Sequence, residues 1–295
     1  MPGILMESDG VTLFVTEKCN SNCIMCPMSL ASRKRGLSIS RDEWPDIVAQ
    51  IPSDVMHITI TGGEPFLEYT YLLPVMDQIN KRFPFAEVLV LTNGRALSVQ
   101  KLFDQVSPLI TDQYCFAIPI HASNSELHDR ITQTPGSFRQ AIKGIRNLSA
   151  IGARIEVRIV GHQQNQVDLN NAFRMLVDTG TKIQVINLIA MEMMGCAAAN
   201  RDALWVDYDK LAGSAEEGIR YAMLHGVDVG LYNFPLCALP NHLWPLARLS
   251  ITPSKIRFYD ECKDCREYHA CGGLFFSTYE LNLCHVKPVG GSDYK

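Results

Sequence analysis

Three cysteines near the N-terminus constrain this chain more than anything else in it. Cys19, Cys23 and Cys26 have Cys-x3-Cys-x2-Cys spacing within Thr16–Pro27, directly after the apolar run Val11–Val15. That run is β-branched and aromatic and predicts a strand, so the thiols are expected in the loop at its C-terminal end. A loop this compact brings three thiolates onto three corners of one iron–sulfur cube and leaves the fourth iron without a protein ligand. An open metal position marks a site for chemistry rather than for structure. A zinc knuckle is the alternative, but it needs a fourth ligand close by, and the first histidine is the distant His57.

Five more apolar, β-rich runs follow: Met56–Ile60, Glu87–Leu91, Cys115–Pro119, Arg154–Val160 and Ile183–Ile189. Between them, Arg41–Ile51, Tyr71–Arg82, Leu97–Val106, Gly136–Leu148 and Leu169–Val177 carry helical spacing, and Leu204–Leu224 predicts a further helix. Strands alternating with helices predict parallel βα units; six are too few to close an eight-stranded barrel. A hydrophobic content of 47% in 295 residues supports a large core. Net charge is −4, from 27 basic and 31 acidic residues without a basic block, which disfavours a nucleic-acid partner. With no long apolar run and no signal-peptide pattern, neither membrane insertion nor export is expected, and the location read from the sequence is cytoplasmic. Of ten cysteines, three lie near the start and five between Cys237 and Cys284. Two clusters fit that distribution better than a disulfide framework.

The triplet resembles the signature of the radical S-adenosylmethionine (SAM) superfamily. The resemblance implies a partial (β/α)6 barrel of the TIM type, open on one side, with its site at the C-terminal strand ends. It also implies a [4Fe–4S] cluster whose open iron chelates SAM and whose electron releases a 5′-deoxyadenosyl radical. Met25 stands where relatives usually have an aromatic residue against the adenine, and a flexible thioether fills the same space. Gly62-Gly63-Glu64-Pro65 follows the second strand. Two glycines permit close backbone approach, a carboxylate receives an ammonium, and the position matches the family's contact with the SAM amino group. Thr92 and Asn93, after the third strand, are then expected near the adenosyl group. After the fourth, Pro119 lacks the polar side chain that relatives turn toward the ribose, and His121 is a catalytic candidate or a structural histidine. On the fifth, Arg158 suits the SAM carboxylate through its planar fork, the alternative being an Arg–Glu pair with Glu156. The Met-rich stretch Met191–Cys196 follows the sixth and places Glu192, the second catalytic candidate, at the mouth. Cys115 and Cys196 read as buried small hydrophobes.

The second cysteine group, Cys262-x2-Cys265-x5-Cys271-Gly272-Gly273, has metal-ligand spacing, with Cys237 upstream and Cys284 downstream. It resembles the SPASM or twitch extensions of the same superfamily, which implies one auxiliary [4Fe–4S] cluster on Cys237, Cys262, Cys265 and Cys271. Another arrangement would use Cys284 instead of Cys237, and zinc suits the same four thiols. The composition shift near Gly226 divides the chain into a barrel, residues 1–225, and a Cys-rich extension, residues 226–295. The last residues, Gly290–Lys295, read as a frayed tail.

Several phrases resemble the C-type maturase of the His-Xaa-Ser system, among them Cys23–Cys26, Met191–Asn200, Pro235–Pro240 and Leu243–Arg248. That resemblance implies modification of a ribosomally made precursor peptide. It further implies a separate maturase or leader-binding protein that presents the substrate, and an electron donor such as flavodoxin or ferredoxin. The alternatives are a radical SAM enzyme acting on a small molecule, like the cyclases of molybdopterin synthesis whose C-terminal cluster leaves an iron open, or a non-catalytic zinc or iron–sulfur interaction module.

Overall fold

The structure, a computed structural model, describes residues 2–6 and 10–290. Most of the tail expected to fray lies outside them. An N-terminal strand, β1 (Gly3–Met6), pairs antiparallel with β2 (Gly10–Phe14) at one edge of the sheet. The sequence did not single β1 out, because four residues carry too little periodicity. From β2 the sheet runs in sequence order, all parallel, through β3 (His57–Thr61), β4 (Glu87–Leu91), β5 (Tyr114–Pro119), β6 (Arg154–Gly161) and β7 (Val185–Ala190). These are the six expected strands. The sheet is curved but not closed, so the architecture is the partial barrel.

Side chains alternate across each strand, and the register puts Leu13 beside Ile60 and Val90 beside Phe116. Those four are fully buried and pack with Leu72, Met76, Ile145 and Phe173 of the surrounding helices. The opposite face, including Glu156, Arg158 and Asn187, points into the barrel. A polar lumen beside an apolar outer layer lets one sheet serve both packing and chemistry.

The sheet continues past the expected boundary at Gly226. β8 (Asp228–Tyr232) pairs parallel with β7, and β9 (Ala247–Arg248) with β8. Asp228-Val-Gly-Leu-Tyr is short, with a glycine in its centre, so propensity alone does not announce it. Beyond β9 the chain turns irregular, with one small antiparallel pair, β10 (Ile256–Arg257) and β11 (Leu274–Phe275). No helix of the described residues is long and apolar enough to cross a membrane.

The helix expected at Leu204–Leu224 begins only at Tyr208, after a separate turn over Arg201–Leu204. A helix absent from the sequence reading, Ser125–Thr132, lies beside the cysteine loop. The Asn124 side chain caps its start by accepting from Leu127 N, and Gln133 ends it with φ 49°. Eight residues offer about two turns, too few for an apolar stripe to stand out.

Candidate active site

The loop holding Cys19, Cys23 and Cys26 follows β2 at the C-terminal end of the barrel. Its backbone is tied down on several sides. Asn22 N donates to Thr132 O at 2.9 Å and Ile24 N to Ile131 O at 3.0 Å. Cys196 N donates to Cys26 O at 2.8 Å, and Asn200 Nδ2 to Ile24 O at 2.8 Å. Two arginines complete the support: Arg33 Nη2 donates to Ser21 O at 2.8 Å, while Arg95 binds Asn20 O and, at 3.1 Å, Ser21 Oγ. Arg95 is distant in the chain and carries no local signal, and Asn200 enters the sequence reading only as the end of the Met191–Asn200 phrase. Arg33 sits in the basic run Arg33–Arg35 just beyond the loop, the one local signal that was available.

Burial pushes all three thiols up, and their mutual proximity adds to it for Cys19 and Cys23; Cys23 reaches about 12. A thiolate here therefore requires a cation, and a metal supplies one. Ser21 N donates to Cys19 Sγ at 3.4 Å, and Asn93 Nδ2 lies 4.0 Å from the same sulfur. Three mutually close thiols with N–H groups turned toward sulfur fit an iron–sulfur cluster.

The Gly62–Pro65 loop packs directly on the cysteine loop. A Cβ on Gly63 would lie 2.2 Å from Lys18 O, and one on Gly62 would lie 2.6 Å from Thr16 O. The approach that these glycines permit is thus to the residues leading into Cys19. Gly63 N donates to Thr16 O at 2.6 Å and Glu64 N to Lys18 O at 2.8 Å, stitching the two loops together. Glu64 is fully buried. Its Oε1 accepts from Thr92 Oγ1 at 2.7 Å and Phe66 N at 3.1 Å, its Oε2 from Asn93 N at 2.7 Å. Burial pushes its carboxyl up, and these hydrogen bonds oppose that. Glu64 is therefore a strut between the loops after β3 and β4. Pro65 is buried and opens the short turn that Glu64 caps. Asn93 reaches back to Asn20 Oδ1 at 2.6 Å.

Beside the loop opens a cavity of about 460 Å³ at the barrel mouth. Met25, Val160, Ile189, Met191 and Phe275 form its apolar wall, and Arg158, Glu192, Tyr232, Asn233 and Lys255 its polar one. Arg158 Nε donates to Glu156 at 2.5 Å, so the ion pair is present. Among the described residues the two terminal nitrogens of Arg158 have no hydrogen-bond partner, and they remain available to a ligand. Glu192 pairs with Lys255 at 3.1 Å. Tyr232, Asn233 and Lys255 come from beyond Gly226, and nothing local in the sequence placed them at the mouth.

His121 does not line this cavity. It is 3% exposed, stacks on His128 with ring centroids 5.6 Å apart, and donates its backbone N–H to His128 Nδ1. Burial lowers the pKa of His121 well below the usual range and those of His128 and His162 to about 4. All three are neutral near pH 7.

In the extension, Cys237, Cys262, Cys265 and Cys271 line one small apolar cavity together with Phe258 and Tyr268. Backbone N–H groups point at two of the sulfurs: Leu236 N and Gly273 N at Cys271, both at 3.4 Å, and Val289 N at Cys265, at 3.3 Å. Cys284 is not among that lining. It is 6% exposed within the hydrophobic core, and burial pushes its thiol up to about 12. Among the described residues no three Cys, His, Asp or Glu side chains converge on one ion-sized point.

The Radical SAM superfamily model matches residues 13–176. The antilisterial bacteriocin subtilosin biosynthesis protein AlbA of Bacillus subtilis is 26% identical over 172 residues, 58% of this chain and 37% of AlbA. A probable GTP 3′,8-cyclase of Pyrobaculum aerophilum is 28% identical over 182 residues, 59% of this chain and 56% of that enzyme. Among solved structures, Streptococcus suis SuiB bound to S-adenosylmethionine has a TM-score of 0.59 at 14% identity, covering 86% of this chain and 54% of SuiB. SuiB bound to precursor peptide SuiA also has a TM-score of 0.59, at 13% identity, covering 75% of this chain and 48% of SuiB. The chain spans between about a third and just over half of the length of these relatives.

Proposed function

The chain belongs to the radical SAM superfamily, and on that footing we propose that it is a peptide-modifying radical enzyme. The observation that carries the proposal is the thiol loop beside an amphipathic cavity at the strand ends. Cys19, Cys23 and Cys26 would hold a [4Fe–4S] cluster, which would supply the electron for reductive cleavage of SAM. The Gly62–Pro65 loop carries backbone groups to the cofactor's amino end, with Glu64 fixing that loop against Thr92 and Asn93. The latter two border the adenosyl group, Met25 forms the apolar wall against the adenine, and the free end of Arg158 receives the cofactor's carboxylate. Glu192 faces substrate. His121, buried and stacked, holds the end of β5 in place.

A peptide substrate is supported by AlbA, named for bacteriocin biosynthesis, and by SuiB, which has a bound precursor peptide. The cavity admits a side chain and a short stretch of backbone, not a folded protein. A separate presenting protein and an electron donor of the flavodoxin or ferredoxin type complete the reading. The cyclase relative favours a second reading, a small-molecule substrate; four thiols closing one cluster would leave no iron for such a substrate to bind.

We take residues 1–225 as the barrel and 226–295 as the auxiliary-cluster extension, the latter lending β8 and β9 to the sheet. Cys237, Cys262, Cys265 and Cys271 are its ligands. Cys237→Ala is then expected to lose about four of roughly eight irons per chain, and Cys284→Ala to keep them, as counted by iron and protein assay. The reverse pattern would reassign the fourth ligand to Cys284. The function itself is tested by anaerobic reconstitution, reduction and chromatography for 5′-deoxyadenosine, then by co-expression with neighbouring small open reading frames and mass spectrometry. Failure to cleave SAM would leave only a binding module; cleavage with GTP consumed and no peptide changed would favour the small molecule.

A further inference from the structure

We propose that the mouth cavity takes a substrate segment carrying a carboxylate between apolar side chains, and that Lys255 receives that carboxylate in place of Glu192. The inference rests on the peptide reading above and names what the peptide presents.

Lys255 comes from the extension and Glu192 from the loop after β7, and their 3.1 Å contact joins the two segments in the cavity lining. The pair is partly open to water, with side-chain exposures of 48% and 20%. Such a pair is weakly held, and an incoming carboxylate can replace Glu192 without leaving Lys255 unpaired. The other cation of the cavity, Arg158, is already half-engaged by Glu156. With Arg158 paired to Glu156 and its free end given to the cofactor, Lys255 is the cation of the described lining left to a substrate, which suits a single negative charge rather than a polyphosphate.

The surroundings are apolar. Met191 and Phe275 line the cavity. They fit the apolar neighbours of the acidic residue.

The test uses the cluster-reconstituted protein without oxygen and two fluorescein-labelled peptides, Gly-Leu-Phe-Glu-Leu-Gly and its Gln counterpart, read by fluorescence anisotropy. The Glu peptide is expected to bind about tenfold more tightly at low salt, with the advantage shrinking as salt rises. Lys255→Gln should erase the advantage. Glu192→Gln should strengthen Glu-peptide binding, because it removes the internal competitor. A clasp that merely holds the fold would weaken binding in both variants, and that outcome overturns the proposal, as does equal affinity for the two peptides. If neither peptide binds while labelled GTP does, the peptide reading falls with it; if both bind equally, the carboxylate assignment alone falls.

Discussion

Replacing any one of Cys19, Cys23 or Cys26 by alanine is expected to reduce 5′-deoxyadenosine formation to background. Each thiol takes one iron of the cube, so two cysteines leave a second iron open and the cluster labile. The loop cannot recruit a substitute easily, because its backbone is fixed by Thr132, Ile131, Arg33 and Asn200. Cys196 is the nearest extra thiol in that contact network, but its sulfur accepts from Arg33 Nη1 at 3.6 Å and lies in the core, 5% exposed. Iron should fall by about four per chain in each of the three variants, whereas Cys196→Ala should retain it. Full turnover in any of the three would remove the cluster from this loop.

Gly63→Ala is expected to be nearly as damaging as Gly63→Val, because the collision begins at Cβ. That atom would stand 2.2 Å from Lys18 O and 2.8 Å from Glu17 O. Both are backbone oxygens next to Cys19, so relief requires moving the cysteine loop away from the Gly62–Pro65 loop. Stability should drop by about 1–3 kcal/mol or more, and SAM affinity and iron retention should fall with it. Gly213 provides the contrast. It lies in the helix Tyr208–Leu224 with no atom within 4 Å of a built Cβ, so Gly213→Ala should be neutral or stabilise by up to about 1 kcal/mol. Thermal melts and calorimetric SAM titrations on the three variants decide it. Unchanged SAM binding in Gly63→Ala would show that the two loops are not coupled.

The same glycines illustrate how the sequence can point to the right place for an incomplete reason. Two adjacent glycines suggest room for a ligand, and the atoms that Gly62 and Gly63 make room for in the structure belong to Thr16–Lys18. The carboxylate of Glu64 suits an ammonium, and the structure adds that it spans Thr92, Asn93 and Phe66. The end of β5 points to the mouth for His121; its stacking on His128 depends on the helix Ser125–Thr132, which no pattern announces.

The sequence alone determined the order of strands β2 to β7, the loop that carries the first three thiols, and the spacing of the second thiol group. These are local properties: β-branched runs and short Cys intervals constrain neighbours along the chain whatever the rest does. Tertiary structure alone decided the continuation of the sheet into β8 and β9, the cavity that Cys237, Cys262, Cys265 and Cys271 line together, and the meeting of Glu192 with Lys255. Each depends on residues far apart in sequence that only long-range packing brings together, so no single stretch of sequence encodes it.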